Sequence, residues 1–419
     1  MAQTLAQKIL QKHSLDEVGR AGQIVRCKTS MVLANDITAP LAVDSFRRMG
    51  AAKVFDREKV ALVCDHFTPN KDIDSAEQVK KVREFAREMK IVHYYEGGSA
   101  GVEHALLPEL GLVGPADVVV GADSHTCTYG GLGAFATGMG STDIAAAMAL
   151  GETWFKVPET IRVNMMGRLD KHTVSKDLIL HIIGLIGVDG ALYRALEFTG
   201  EVVDAMDVEA RMTMANMAIE AGGKAGLFPA DEMTVDYCRK AGFPDPGKVY
   251  PDDGATYFRQ LSIDVTGMGP QIACPHLPDN VKPVDELDRV KVDQVVLGSC
   301  TNGRISDLRQ AAEIIKGRKV SSNVRFIVLP ATPRIYEQAL EEGLLGIFIR
   351  AGAIVGPPTC GPCLGGHMGI LASGERCLAT TNRNFRGRMG SLESEVYLGS
   401  PLVAAATAVA GEIIHPAKV

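Results

Sequence analysis

Short apolar runs without alternation, each closed by a polar turn and followed by a helix-like segment, predict an α/β protein built on parallel sheets covered on both faces. The polar residues fall just beyond the ends of the runs, at the edge where open α/β sheets bind their ligands. A length of 419 residues is enough for three such units at roughly 150 residues each. The expected division is a first α/β domain over 1–158, a second over 159–285 and a third over 286–419, arranged as α/β/α layers around a central cleft.

Composition narrows the class. Hydrophobic residues make up 46% of the chain, ordinary for buried α/β material. A net charge of −6 provides no basic footprint for nucleic acid or an anionic membrane. Met1 to Leu10 spaces its apolar residues as a helix does and lacks the continuous apolar stretch of a secretory signal. No run reaches the roughly 18 apolar residues of a membrane span. These features predict a cytoplasmic protein, in which nine cysteines stand as thiols or metal ligands and not as disulfides.

Taken in order, the opening helix leads to a strand-like run, Ser30 to Ala34, and the turn Asn35-Asp36-Ile37-Thr38-Ala39-Pro40. The pattern then recurs. Val60 to Cys64 runs into Asp65-His66, and Asp117 to Val120 runs into Gly121-Ala122-Asp123-Ser124-His125-Thr126. A new strand over Thr160 to Val163 follows the first boundary at Val157-Pro158, and a proline-rich connector, Cys274 to Pro283, marks the second. Beyond it, Gln294 to Leu297 runs into Gly298-Ser299-Cys300, and Ala353 to Val355 into the loop bearing Cys360 and Cys363. Helices are expected over Glu77–Met89, Ser306–Lys316 and the alanine-rich Pro401 to Ala410.

The chemistry-bearing residues lie in those turns. Spacing alone leaves Cys360-x-x-Cys363 open to three readings: zinc knuckle, redox pair or cluster ligand. A zinc site wants a second close pair, and His367 is the sole local candidate. A redox pair wants to open a helix, whereas Gly361, Pro362, Gly365 and Gly366 make a loop cradle. With Cys300 as third ligand, the set is one short of the usual four, leaving a coordination position where chemistry can occur. Cys27, Cys64, Cys127, Cys238, Cys274 and Cys377 are isolated and expected to be inert buried thiols.

Asp65-His66, Asp123-Ser124-His125 and Glu103-His104 each set a carboxylate near an imidazole, which raises imidazole basicity and prepares a general acid. One such dipeptide is usually a hydrogen-bonded turn; three in comparable loops point to a site. Arg383, Arg386 and Arg388 share the loop Thr381 to Arg388, and guanidinium groups bind carboxylates bidentately, so the loop suits a di- or tricarboxylate. Gly131-Leu132-Gly133-Ala134 follows a polar loop instead of a strand, so it reads as close helix packing and not as a dinucleotide fingerprint. Met212, Met214 and Met217 read as a core stripe; spacing leaves the neighbouring Glu220 undecided.

Together, Asp65-His66, Asp123-Ser124-His125-Thr126, Gly298-Ser299-Cys300-Thr301-Asn302, Cys360-Gly361-Pro362-Cys363 and Asn382-Arg383-Asn384-Phe385-x-Gly387-Arg388 closely resemble the aconitase superfamily. The match spans essentially the whole chain and is nearest to the large, catalytic subunits of 3-isopropylmalate dehydratase and homoaconitase. The resemblance implies one [4Fe–4S] cluster per chain, held by Cys300, Cys360 and Cys363, with a fourth iron that lacks a protein ligand and serves as a Lewis acid toward the substrate hydroxyl. It further implies that His66, paired with Asp65 or a neighbouring carboxylate, protonates the departing hydroxyl. Asp123 and His104 form a second acid pair, His125 and Glu220 surround the same oxygen, and Arg383 and Arg388 clamp substrate carboxylates. Asp36 and Ser124 match cleft-lining positions, while Arg386 occupies a variable one and receives no role.

The implied reaction is dehydration and rehydration interconverting 2- and 3-hydroxy acids. The expected pair is 2- and 3-isopropylmalate, of leucine biosynthesis, with homoaconitase and 2,3-dimethylmalate dehydratase large subunits as alternatives. Aconitases proper carry a swivelling C-terminal domain with a serine base and a further arginine. This chain ends at Val419 without it, so a separate small subunit is expected to supply both, and the chain alone to be inactive. The remote rival is an iron-sensing RNA-binding protein, against which the net charge of −6 counts. Electron transfer would want a fourth cluster ligand.

Overall fold

A computed structural model describes residues 2–419 as a mixed α/β structure with three parallel-rich sheets and a small antiparallel ribbon. The first sheet has five parallel strands in the spatial order His93–Tyr95, Val60–Val63, Met31–Asn35, Val118–Gly121, Phe135–Gly138. Alternate residues feed opposite faces. Val32, Leu62 and Val120 pack with Phe46, Phe85 and Met148 from covering helices, while Leu33, Val63 and Val119 pack with Leu106, Leu107 and Tyr129 on the other side. Two buried faces explain why these runs show no alternation in sequence.

The second sheet orders Ala225–Leu227, Ala195–Thr199, Thr160–Met166 and Arg259–Asp264, all parallel. The third has seven strands: Val281–Pro283, Gln271–Ala273, Glu395–Leu398, Arg376–Ala379, Gln294–Leu297, Arg325–Val328 and Ile354–Val355. Its last five are parallel, and Gln271–Ala273 and Val281–Pro283, which precede residue 285, join it antiparallel. Ile24–Lys28 and Glu152–Lys156 form the ribbon.

Two of these sheets reverse their winding at a central strand. In the first, the chain builds outward from Met31–Asn35 on one side and returns with Val118–Gly121 on the other; in the third, Gln294–Leu297 and Arg376–Ala379 do the same. At such switch points the following loops diverge and leave a crevice. The loops beginning at Asp36, Ala122, Gly298 and Thr380 therefore flank two crevices, and these face one another across the molecule.

Helix positions match expectation with shifts at the ends. Pro401–Ala410 is a helix as read, and Ile305–Ile315 starts and stops one residue early. The helix expected over 77–89 spans Ile73–Glu88, because the Asp72 side chain accepts the Ser75 N–H and caps it four residues sooner. No helix among the described residues is long and apolar enough to cross a membrane.

Candidate active site

The strand-end loops close around a cavity of about 270 Å³. Asp65, His66, His104, Asp123, Ser124, His125, Cys300, Cys360, Cys363, Arg383 and Arg388 all line it. Of the expected residues, Glu220 and Asp36 stand behind the wall. Glu220 accepts from His125 Nε2 at 2.8 Å and from Arg383 Nε at 2.9 Å. Asp36 does not line the cleft as its position implied: fully buried, it accepts the main-chain N–H groups of His66 at 3.0 Å and Phe67 at 2.7 Å. Those two bonds shape the His66 turn.

Local hydrogen bonds hold each loop. Asn35 Oδ1 accepts from the N–H groups of Ile37 and Thr38, turning the chain after its strand. Asp123 Oδ1 accepts from the His125 N–H at 2.7 Å and opens the 3-10 segment Ser124–Leu132. Gly298 has φ +128°, and a Cβ there would meet the Leu329 carbonyl oxygen at 2.3 Å, so only glycine can start the Cys300 loop. Asp307 then accepts from the N–H groups of Gly303 and Arg304 and from Asn302 Nδ2.

The two halves are joined directly. The Asp65 carbonyl accepts the Cys360 N–H at 2.9 Å and the Thr359 hydroxyl at 2.7 Å, bringing the cysteine loop onto the His66 turn. The Ala331 N–H donates to the Gly303 carbonyl, and the Ala331 carbonyl accepts the Val102 N–H, at 2.8 Å each. This fixes the Glu103–Glu109 helix against the Cys300 loop.

His66 Nδ1 lies 2.7 Å from Asp65 Oδ1, leaving Nε2 without a partner among the described residues. Burial alone would lower the imidazole pKa, but Asp65, reinforced by Asp36 and Asp123, outweighs it and holds His66 well above its ordinary value. His104 Nε2 lies 3.0 Å from Asp123 Oδ1, and its Nδ1 lies 3.1 Å from the Tyr129 hydroxyl. Against burial, bonds from His104 and His125 keep Asp123 well below the usual carboxylate range. Glu220 is likewise lowered by His125 and Arg383 despite its burial.

Cys300, Cys360 and Cys363 are all buried. The Cys360 thiol hydrogen-bonds to both other sulfurs. This bond, with the His125 and His104 imidazoles, draws Cys300 down to about 5 against the effect of burial. Cys363 falls well below its ordinary value through Cys360 and, against burial, Arg388. Amide and guanidinium N–H groups converge on the sulfurs: Asn216 Nδ2 at 3.3 Å and Asn382 Nδ2 at 3.1 Å from Cys300, and Arg388 at 3.5 Å from Cys363. The Nε of Arg388 is buried without a partner. Cys360, sharing its proton with both other sulfurs and buried, is itself raised well above its ordinary value. Three sulfurs drawn together, two of them made acidic and met by N–H donors, suit an anionic sulfur-ligated centre. His367, the one local zinc candidate, is engaged elsewhere, with Nε2 at 2.7 Å from the Pro69 carbonyl.

Residues 7–411 match the family described as the aconitase family (aconitate hydratase). The chain belongs to the aconitase family. It is 71% identical over 416 residues to the "3-isopropylmalate dehydratase large subunit" of Oleidesulfovibrio alaskensis, with 99% of each chain covered. It is 59% identical over 419 residues to the protein of that name from Moorella thermoacetica, with all of both chains covered. Among solved structures it resembles Thermococcus kodakaraensis aconitase X in its holo-form, with a TM-score of 0.52, 15% identity and 89% and 88% of the two chains covered. That likeness is one of fold. The family implies an iron–sulfur cluster, and the sulfur environment described above fits one.

Several residues around the site escaped the sequence reading. Asn216 hides in the methionine stripe, whose Met212, Met214 and Met217 are buried as expected. Four residues before Glu220 and polar among apolar neighbours, it carried a signal of its own. Lys176 is fully buried, with Nζ 2.7 Å and 2.6 Å from the Thr380 and Thr381 carbonyls and 3.3 Å from Asn302 Oδ1. Burial pushes its pKa down to about 7. Three acceptors each need one hydrogen, which the ammonium form supplies. Arg386 is exposed.

Proposed function

We propose that this protein is the large subunit of a hydro-lyase that interconverts 2- and 3-isopropylmalate by dehydration and rehydration, in the cytoplasmic pathway to leucine. The observation that carries the reading is the convergence of three buried thiols, two of them acidified, two imidazole–carboxylate pairs and two guanidinium groups on one cavity. The full-length likeness to proteins named for that reaction supports it.

Cys300, Cys360 and Cys363 would hold a [4Fe–4S] cluster, one per chain, which when bound supplies a Lewis acid toward the substrate hydroxyl. The rest falls to the chain's own groups. His66 holds a proton at Nε2, opposite the nitrogen bonded to Asp65, and passes it to the departing hydroxyl oxygen. Asp123 orients both His104 and His125. Arg383, its Nε held by Glu220, turns its terminal nitrogens toward a substrate carboxylate, and Arg388, from the same loop, lines the cavity with a second guanidinium. Ser124 lies 3.4 Å from Arg383 and steadies it.

Proton removal from carbon needs a base, which we assign, with a further arginine, to a separate small subunit. The test combines the iron-reconstituted chain with that subunit and follows enoate absorbance from 3-isopropylmalate. Turnover should need both polypeptides. Turnover of a homocitrate-type tricarboxylate instead would move the substrate assignment.

A further inference from the structure

Glu103 lines the cavity between the two imidazole–carboxylate pairs, is 1% exposed, and has no part in the reaction above. Its surroundings fix how each of its oxygens is used. The main-chain N–H of Glu103 donates to Asp65 Oδ2 at 2.8 Å, so the residue is tied to the His66 pair. Its Oε1 accepts from Asn35 Nδ2 at 3.1 Å and lies 3.6 Å from His104 Nε2. Asn35 cannot be turned round, because its Oδ1 is already engaged by the N–H groups of Ile37 and Thr38. Oε1 is therefore an acceptor.

Oε2 is buried and has no hydrogen-bond partner among the described residues. Burial, with the charges of Asp65 and Asp123 close by, raises the Glu103 carboxyl well above its ordinary value. Since Oε1 takes the Asn35 hydrogen, the proton belongs on Oε2, where it faces no acceptor from the chain. A buried donor without an acceptor is costly unless a ligand provides one. Charge argues the same way. An ionised Glu103 beside Asp65 and Asp123 would repel a dianionic substrate, whereas the neutral acid presents a donor to it.

We propose that Glu103 binds substrate as a neutral carboxylic acid, its Oε2–H donating a hydrogen bond to a substrate carboxylate oxygen. The proposal rests on the hydroxy-diacid reading above and adds to the arginines a contact from the segment that carries His104.

Glutamine reproduces both functions of the neutral acid, accepting from Asn35 and donating to the ligand, while leucine keeps the bulk and removes both. In the cluster-loaded enzyme with its small subunit, E103Q should keep KM and kcat for 3-isopropylmalate within about threefold of the unaltered enzyme. E103L should raise KM roughly tenfold or more, with a smaller change in kcat. A loss in E103Q as large as in E103L overturns the proposal, and so does an unaltered KM in E103L. Infrared difference spectra of the large chain, recorded with and without 3-isopropylmalate, give a readout that needs no turnover. A protonated-carboxyl C=O band at neutral pH, missing in E103Q and shifted by the ligand, is expected; its absence from the unaltered chain also overturns the proposal. If the unaltered enzyme fails to turn over 3-isopropylmalate while the band is present but does not shift, the substrate assignment has failed and the protonation state of Glu103 stands.

Discussion

His66 keeps its proton only while Asp65 remains a charged neighbour. Removing that charge in Asp65→Asn leaves burial, which lowers the imidazole pKa, opposed only by the weaker influence of Asp36, 3.7 Å away, and of Asp123. The pKa of His66 should fall, so the protonated acid is lost at a lower pH. The alkaline limb of kcat/KM should move toward acid and turnover at neutral pH should drop about 100-fold, as a pH–rate profile would record. Cys360→Ser removes the thiol that bonds to both other sulfurs. Cluster absorbance and activity should vanish together in the reconstituted protein, and retained activity would sink the ligand assignment. At this scale the sequence was most readable where function sits in turns: Asp65-His66 and Cys360-x-x-Cys363 stand out because polar residues and glycines interrupt apolar runs. Asn216 and Lys176 were hidden, since their partners come from distant segments at Cys300, Thr301, Thr380 and Thr381. Asn216 at least stood out as polar within an apolar stripe; for Lys176 only tertiary contact separates it from an ordinary helical lysine.

Elements deliver these residues by close approach. The 3-10 segment Ser124–Leu132, which begins at the His125 turn, lies against the helix Val208–Asn216 with glycine at the contact. A Cβ at Gly131 would meet the Met212 main-chain nitrogen at 2.6 Å and its Cα at 2.7 Å. Backbone cannot rotate away as a side chain can. Gly131→Ala should therefore destabilise the protein by about 2–3 kcal/mol, read as a lower thermal midpoint, and should reduce activity through displacement of His125. The glycines around Gly131 pointed to such packing because no strand precedes them. Strand positions were equally legible: Gln294–Leu297 has the bounds expected, and Val60–Val63 and Ile354–Val355 each lose one residue. Register and order were not. That Met31–Asn35 and Gln294–Leu297 are the strands at which winding reverses depends on pairing between segments far apart in the chain, which short apolar runs do not encode.

The whole molecule is a cleft between two switch points, and its two walls are joined through main-chain bonds at Asp65–Cys360 and Ala331–Val102. Such a socket is set before substrate arrives. The Lys176 ammonium shows how this socket tolerates its setting. Carbonyl oxygens gathered around a small positive charge are what proteins use to replace the hydration shell of a potassium ion. Here the ion is grown from the chain itself, tethered by its own methylenes, and cannot exchange with solvent. The junction between the Cys300 loop and the Arg383 loop should thus be indifferent to the monovalent salt: replacing potassium by sodium or choline should leave thermal unfolding and activity unchanged. Lys176→Met should strand three acceptor oxygens, destabilising the junction by about 3 kcal/mol or more and weakening cluster retention measured by iron content. A built-in counter-ion of this kind frees the anionic centre beside it from dependence on the ionic composition of its surroundings.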